Sequence, residues 1–295
     1  MSPSMSSVAG KSEVATGTAI ALVLVGIASV QLGAGVAKNL FDEITPTAMV
    51  WLRLATSSLV LVLLARPALR GRDRVDWLTV LGFGVSLGLM NWAIYQSFSR
   101  IPIGIAVTIE FVGPLVVAVI GFRRPRDLAW VGLAAVGVAL LGFERTGLDP
   151  VGVGFALLAG AAWAGYILLS ARTGRRWEGI DGLAVASVVA VLLLSPALLG
   201  TDAGPISDPR ILLLGAAVGM LSSVVPYSCE LVALRRLPAA LFGVLMSLEP
   251  AAAALAGLLV VGEDLRLVQW AAIGCVVVAS IGATRASRVP PVAVA

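Results

Sequence analysis

Ten apolar runs follow one another with only short connections, each close to the ~20 residues that carry a helix across ~30 Å of hydrocarbon. They span approximately 17–39, 46–65, 77–98, 101–121, 127–143, 151–171, 181–200, 211–234, 238–260 and 266–284. A backbone surrounded by lipid must satisfy its own hydrogen bonds, so runs of this length become helices. Gly and Pro mark the connections, as at Arg66-Pro67, Arg124-Pro125, Asp149-Pro150, Pro205 and Pro209. Only 13% of the 295 residues are charged, about half the ~25% of a soluble domain. The expectation is an all-α integral membrane protein. The first run is too long for a signal-peptide core and lacks an A-x-A ending, so it reads as a retained first span.

The basic residues test the count of ten. Connections after even-numbered runs hold Arg66, Arg70, Arg72 and Arg74, then Arg123, Arg124 and Arg126, then Arg172, Arg175 and Arg176, then Arg235 and Arg236. The tails add Lys11, Arg285 and Arg288. The opposite side holds only Lys38, Arg100, Arg145, Arg210 and Arg266. Fifteen against five, with no slip in phase, places both termini in the cytoplasm by the positive-inside rule. The sequence pI is near 9.6, yet these arginines form no single patch, so nucleic acid is not an expected partner.

The chain also repeats. A shift of 136 residues lays Ile101-Pro102 on Leu237-Pro238, Arg100 on Arg236 and Pro114 on Pro250. After a four-residue gap Trp130 falls on Trp270, and Lys38 and Arg172 both close the first run of their halves. The expected organisation is two five-helix repeats, 1–145 and 150–285, followed by a cytoplasmic tail, 286–295. Five is odd, so the copies are inverted, an arrangement that places a transporter's site near mid-membrane between them.

Absent residues narrow the chemistry. There is no histidine, which removes the Ser-His triad and the HExxH zinc helix. No aspartate lies in mid-span, so an intramembrane aspartyl pair is missing too. Cys229 and Cys275 lie within apolar runs and read as small buried hydrophobes. No metal or cofactor is implied, and no G-x-x-x-x-G-K-[ST] loop makes ATP the energy source for this chain. GxxxG-like spacings such as Gly84/Gly88 indicate close helix approach and specify no substrate.

Four charges lie well inside the runs: Arg53, Glu110, Glu230 and Glu249. A charge there is costly unless paired, protonated or facing water, and is a functional candidate by default. Glu110 lies nine residues beyond Ile101 and Glu249 eleven beyond Pro238, roughly 13 Å and 16 Å deep from opposite faces. Both reach mid-membrane, although the repeat lays Gly113, not Glu110, on Glu249. Pro114, Pro226 and Pro250 sit beside these acids, each lacking an N–H and able to kink a helix. Glu230 lies near the inner end of its run, positioned to gate the site or to pair with Arg235 or Arg236. Arg53 reads as an anchor that snorkels outward or pairs with Asp42 or Glu43. Asn91 and Tyr95 share a helical face. Gln31, Trp163, Tyr166 and Tyr227 complete the polar and aromatic candidates.

These stretches resemble the drug/metabolite transporter superfamily, with two EamA-type halves, and within it the bacterial threonine/homoserine exporters. The resemblance is carried by ASVQLGAGVAKNLF at 28–41, GVSLGLMNWAIYQSF at 84–98, PIGIAVTIEFVGPLVVAV at 102–119, VVPYSCELVALRRLP at 224–238 and FGVLMSLEPA at 242–251. It implies an inner-membrane exporter of small amino acids driven by the proton gradient. Aromatic-amino-acid exporters share this fold, so another metabolite or drug is the alternative cargo. Desolvation disfavours an ionised carboxylate, so a proton and a substrate ammonium can compete for one buried acid. Glu110 and Glu249 are the candidates for that role, with Glu230 as gate. Asn91, Tyr95, Gln31 or N–H groups near the prolines are left for the substrate's carboxylate. A channel or an intramembrane enzyme is the competing class.

Overall fold

The computed structural model describes residues 5–120, 128–142, 148–202, 204–234, 236–237 and 239–286. Arg123, Arg124, Arg126, Arg145, Arg235, Pro238 and Arg288 lie outside them, as does the tail beyond Ala286. The described chain is helical, without a strand. Seven of its helices are long and apolar enough to cross a membrane, and three further apolar helices are shorter.

Local chemistry sets several helix starts. α1 is Met5–Asn39 and α2 is Pro46–Ala65. Thr45 Oγ1 accepts from Ala48 N–H at 3.3 Å, and Pro46 needs no partner for the N–H it lacks. α3 (Arg74–Phe98) begins three residues before the apolar run because a capping box extends it. Asp76 N–H donates to Asp73 at 2.7 Å and Asp73 N–H to Asp76 at 3.0 Å. Asp149 and Asp208 cap α7 (Pro150–Thr173) and α9 (Pro209–Gly219) by accepting from Val151 N–H and Arg210 N–H, two residues on, and each is followed by proline. α8 is Asp181–Leu198, α6 is Leu128–Gly142 and α13 is Leu267–Ala286.

Three runs that read as single spans are interrupted. The fourth divides into α4 (Ile103–Glu110) and α5 (Val112–Ile120), with Pro114 one turn past the break. The eighth passes from α9 through a wide π turn, Met220–Val224, into α10 (Val225–Leu234), where Pro226 is the second residue. The ninth divides into α11 (Ala239–Met246) and α12 (Glu249–Ala256), with Pro250 at the start of the second piece, and ends in another π turn, Gly257–Val261. Each proline withholds the N–H that would bond four residues back, which leaves the carbonyls of Glu110, Ser222 and Met246 without their helical donor.

α3 packs on α7 and α8, α1 on α10, α2 on α8 and α9, α4 on α12, and α6 on α13. Small residues make these approaches possible, since lipid supplies no hydrophobic force between helices and dispersion needs close contact. Gly84 and Gly88 set α3 against Val189 and Ala190 of α8. Where the packing ends, large apolar side chains face outward: Leu63, Leu64, Leu213 and Leu259 are all more than half exposed, a surface suited to acyl chains.

The α4–α12 contact offers a direct test. A methyl group at Gly104 would lie 2.6 Å from Ala254 Cα and 3.0 Å from its N. Gly104→Val should therefore lower stability by about 1–3 kcal/mol, read as a lower unfolding midpoint in detergent. Gly274→Ala, whose new methyl meets nothing within 4 Å, should stay within ~0.5 kcal/mol of the wild type.

Candidate functional site

The three helix breaks converge on one cavity of about 200 Å³. Glu110 closes α4, Glu249 opens α12, and Glu230 comes from α10; all three line this cavity. Glu249 lies within Coulombic range of both other acids. Among the described residues no Lys or Arg nitrogen lies within 4.0 Å of any of the three. Glu230 therefore turns inward and does not pair with Arg236, as one sequence reading had it.

Other candidates divide. Gln31 lines the cavity, and its carbonyl oxygen has no hydrogen-bond partner. Asn91 lines it too, with its amide N–H donated to Leu87 O at 2.9 Å. Trp163 and Tyr166 from α7 and Pro226 and Tyr227 from α10 form an aromatic side of the wall. Trp163 is held edge-on against Phe111, 5.3 Å between ring centres, and Tyr166 lies tilted against Phe83, 5.1 Å between ring centres. Tyr95 is a correction. It shares a helix with Asn91 but is fully buried between Phe41 and Phe98, and does not reach the cavity. A tyrosine ring is large enough to be claimed by the aromatic cluster at the end of α3, and four residues of helix do not guarantee the same wall.

Arg53 is the second correction. Glu43, its suggested partner, pairs with Arg210 instead. Arg53 is 9% exposed and lines the cavity. Its Nη2 donates at 2.9 Å to Ser222 O, a carbonyl that Pro226 leaves without its helical donor. The guanidinium also lies 5.4 Å from the Tyr95 ring centre. The available signal was Arg53's depth as a mid-span base, together with a serine four residues before a proline in another span.

The break at Glu110 also depends on its neighbour. A methyl at Gly160 would lie 2.7 Å from Glu110 O, so only glycine lets α7 pass the interrupted helix this closely. Lys38, in the last turn of α1, forms a polar knot. Its Nζ lies 2.6 Å from Glu263 and donates to Ile101 O at 2.8 Å, while Ile103 N–H donates to Glu263 at 2.9 Å. The knot ties α1, the start of α4 and the turn after Gly257–Val261.

With that geometry in place, comparison supplies kinship. Residues 150–285 match the model of the EamA-like transporter family. The "Threonine/homoserine exporter RhtA" of Escherichia coli strain K12 is 41% identical over 274 residues, covering 91% of this chain and 92% of the relative. The chain belongs to the EamA-like transporter family. The protein of the same name from Salmonella typhimurium is 40% identical over 275 residues, 92% of this chain and 93% of the relative. An "Uncharacterized transporter YwfM" of Bacillus subtilis is 31% identical over 56% of the chain and 57% of its own. One solved crystal structure superposes with a TM-score of 0.58 at 18% identity, covering 91% of this chain and 99% of that one; it shows the fold alone. This EamA-like protein is therefore a transporter built of membrane-spanning helices, and not an enzyme.

The Lys38–Glu263 contact is partly buried on both sides, 19% and 11% exposed. Lys38→Met strands a carboxylate and should destabilise more than Lys38→Met/Glu263→Gln does. A double-mutant cycle on thermal unfolding should return a coupling of roughly 1–3 kcal/mol.

Proposed function

We propose that this chain exports small amino acids of the threonine/homoserine class across a bacterial inner membrane in exchange for protons. The substrate class follows the named exporters that share 41% of its residues along 91% of its length. The observation that carries the mechanism is the meeting of Glu110 and Glu249 in one cavity of about 200 Å³, a volume below the roughly 300–1,000 Å³ of drug-sized sites. Small polar cargo fits that space better than a drug.

The architecture proposed is ten spans in two inverted repeats, 1–145 and 150–285, with both termini cytoplasmic. The packing supports it, because it is nearly unchanged when the halves are exchanged. α3 meets α7 and α8 as α10 meets α1 and α9 meets α2, while α2–α8, α4–α12 and α6–α13 map onto themselves. Glu110 and Glu249 then approach from opposite faces at the seam.

Export uses competition for these carboxylates. At the inner face an ionised acid binds the substrate's ammonium. At the more acidic outer face a proton takes the same oxygen, and the ammonium leaves. The protonated carrier returns, loses its proton inside and binds again. Glu230, nearer one end, controls access to the pair.

In proteoliposomes, labelled threonine should show counterflow stimulated by unlabelled threonine on the opposite side, which a channel does not produce. Glu110→Gln and Glu249→Gln should each reduce pH-driven uptake to the level of empty vesicles while the purified protein stays monodisperse; wild-type transport by both would exclude this mechanism. Competition by threonine, homoserine and aromatic amino acids against one label ranks the cargo. A fluorescent-protein fusion at the C-terminus should be fluorescent and a phosphatase fusion there inactive, and the reverse would overturn the topology.

A further inference from the structure

We propose that Arg53 binds the carboxylate group of the transported amino acid, so that the substrate lies between this guanidinium and the acids of the opposite wall. The inference rests on the amino-acid reading above and adds a binding residue to it. A zwitterion carries both charges a short distance apart, and its site needs an anion and a cation. The acids Glu110, Glu230 and Glu249 provide the first; in the same cavity wall the base is Arg53.

Its surroundings are those of an incomplete site. Arg53 is 9% exposed, and among the described residues none of the ion pairs includes it. A buried guanidinium has five N–H donors and no acceptor. Here Nη2 meets Ser222 O at 2.9 Å and Nε meets nothing. Glu110 lies within Coulombic range but not in contact. Leaving a charge buried without a partner is expensive, and the fold leaves more than this one group unpartnered. Gln31 Oε1 and Ser222 Oγ, both from residues lining the cavity, are also buried without hydrogen bonds. These are a donor fork, an amide acceptor and a hydroxyl, the set that a small hydroxy amino acid would satisfy.

The guanidinium is also held in place before any ligand arrives. Ser222 O fixes one nitrogen, and the Tyr95 ring lies 5.4 Å away. That gives Tyr95 an indirect part: it positions Arg53 and does not touch substrate. Gly33 makes room for Ser222, since a methyl there would collide with the serine hydroxyl. A planar fork fixed at one corner is suited to bidentate recognition of a carboxylate, which a lysine ammonium does not reproduce.

The test uses the intact protein in proteoliposomes and two compounds that keep the ammonium but lack the carboxylate, threonine amide and threoninol. Against labelled threonine, both should compete about 10- to 100-fold more weakly than unlabelled threonine at the wild-type protein, the range for loss of a charge-assisted hydrogen bond. Arg53→Gln should weaken threonine by a similar factor and leave competition by the amide unchanged, while Arg53→Lys should recover only part of the loss. A merely structural arginine would weaken threonine and amide alike. If the wild type accepts threoninol as well as threonine, or Arg53→Gln keeps the wild-type KM for threonine, the inference is overturned while the exporter reading stands. If the wild type exchanges no amino acid, both fall. The analogue series on the wild type decides the matter alone should Arg53→Gln not fold.

Discussion

Hydrocarbon offers no hydrogen bonds, and three prolines in this protein remove backbone donors deep within apolar runs. Pro114, Pro226 and Pro250 each strip the carbonyl four residues earlier of its helical partner. Lipid-facing breaks of that kind are too costly to persist, so they are tolerated only where protein or a water-filled hollow lies beside them. All three breaks border the same cavity through Glu110, Pro226 and Met246. The hollow and the interruptions therefore require one another. Gly160 is left without a side chain so that α7 can close over the first break, and Arg53 crosses from α2 to occupy the carbonyl exposed at the second.

That constraint also explains the charge arrangement. Acids in mid-bundle would be excluded from a plain helix facing lipid, yet beside the helix breaks they face the shared hollow, which also holds Gln31, Arg53 and Asn91. Glu110 and Glu249 flank the breaks directly, one closing a helix and one opening it. The Lys38–Glu263 knot serves a different purpose at the end of α1. It secures backbone groups at Ile101 and Ile103, where α4 begins without a side-chain cap. The acids Glu110 and Glu249 and the Lys38–Glu263 knot are thus placed where the helical ladder starts or fails, while Gln31, Arg53 and Asn91 reach the cavity from the interiors of the uninterrupted helices α1, α2 and α3.

Much of this was readable from residues alone where the governing physics is local. Hydropathy marked the runs, aspartate and proline marked the starts of α7 and α9, and proline marked the places where helices break. Glu110 and Glu249 stood out because charge in an apolar run has few uses. The failures were questions of direction. Glu230 was near enough to Arg236 for a pair yet faces inward, Tyr95 shares a helix with Asn91 yet is absorbed by Phe41 and Phe98, and Arg53 was read as an outward anchor although it crosses to Ser222.

The amino-acid sequence by itself determined the membrane class, the position of the apolar runs and the presence of acids within them, because each depends on residues adjacent along the chain. Only the tertiary structure decided which of those residues share a wall. In a soluble helix the polar face announces the interior by contrast, but lipid and protein interior are both apolar, so that contrast is lost. Which side of α2 faces inward is settled by small residues that let helices approach, and by a carbonyl left open on another helix, neither of which is visible from the run that contains Arg53.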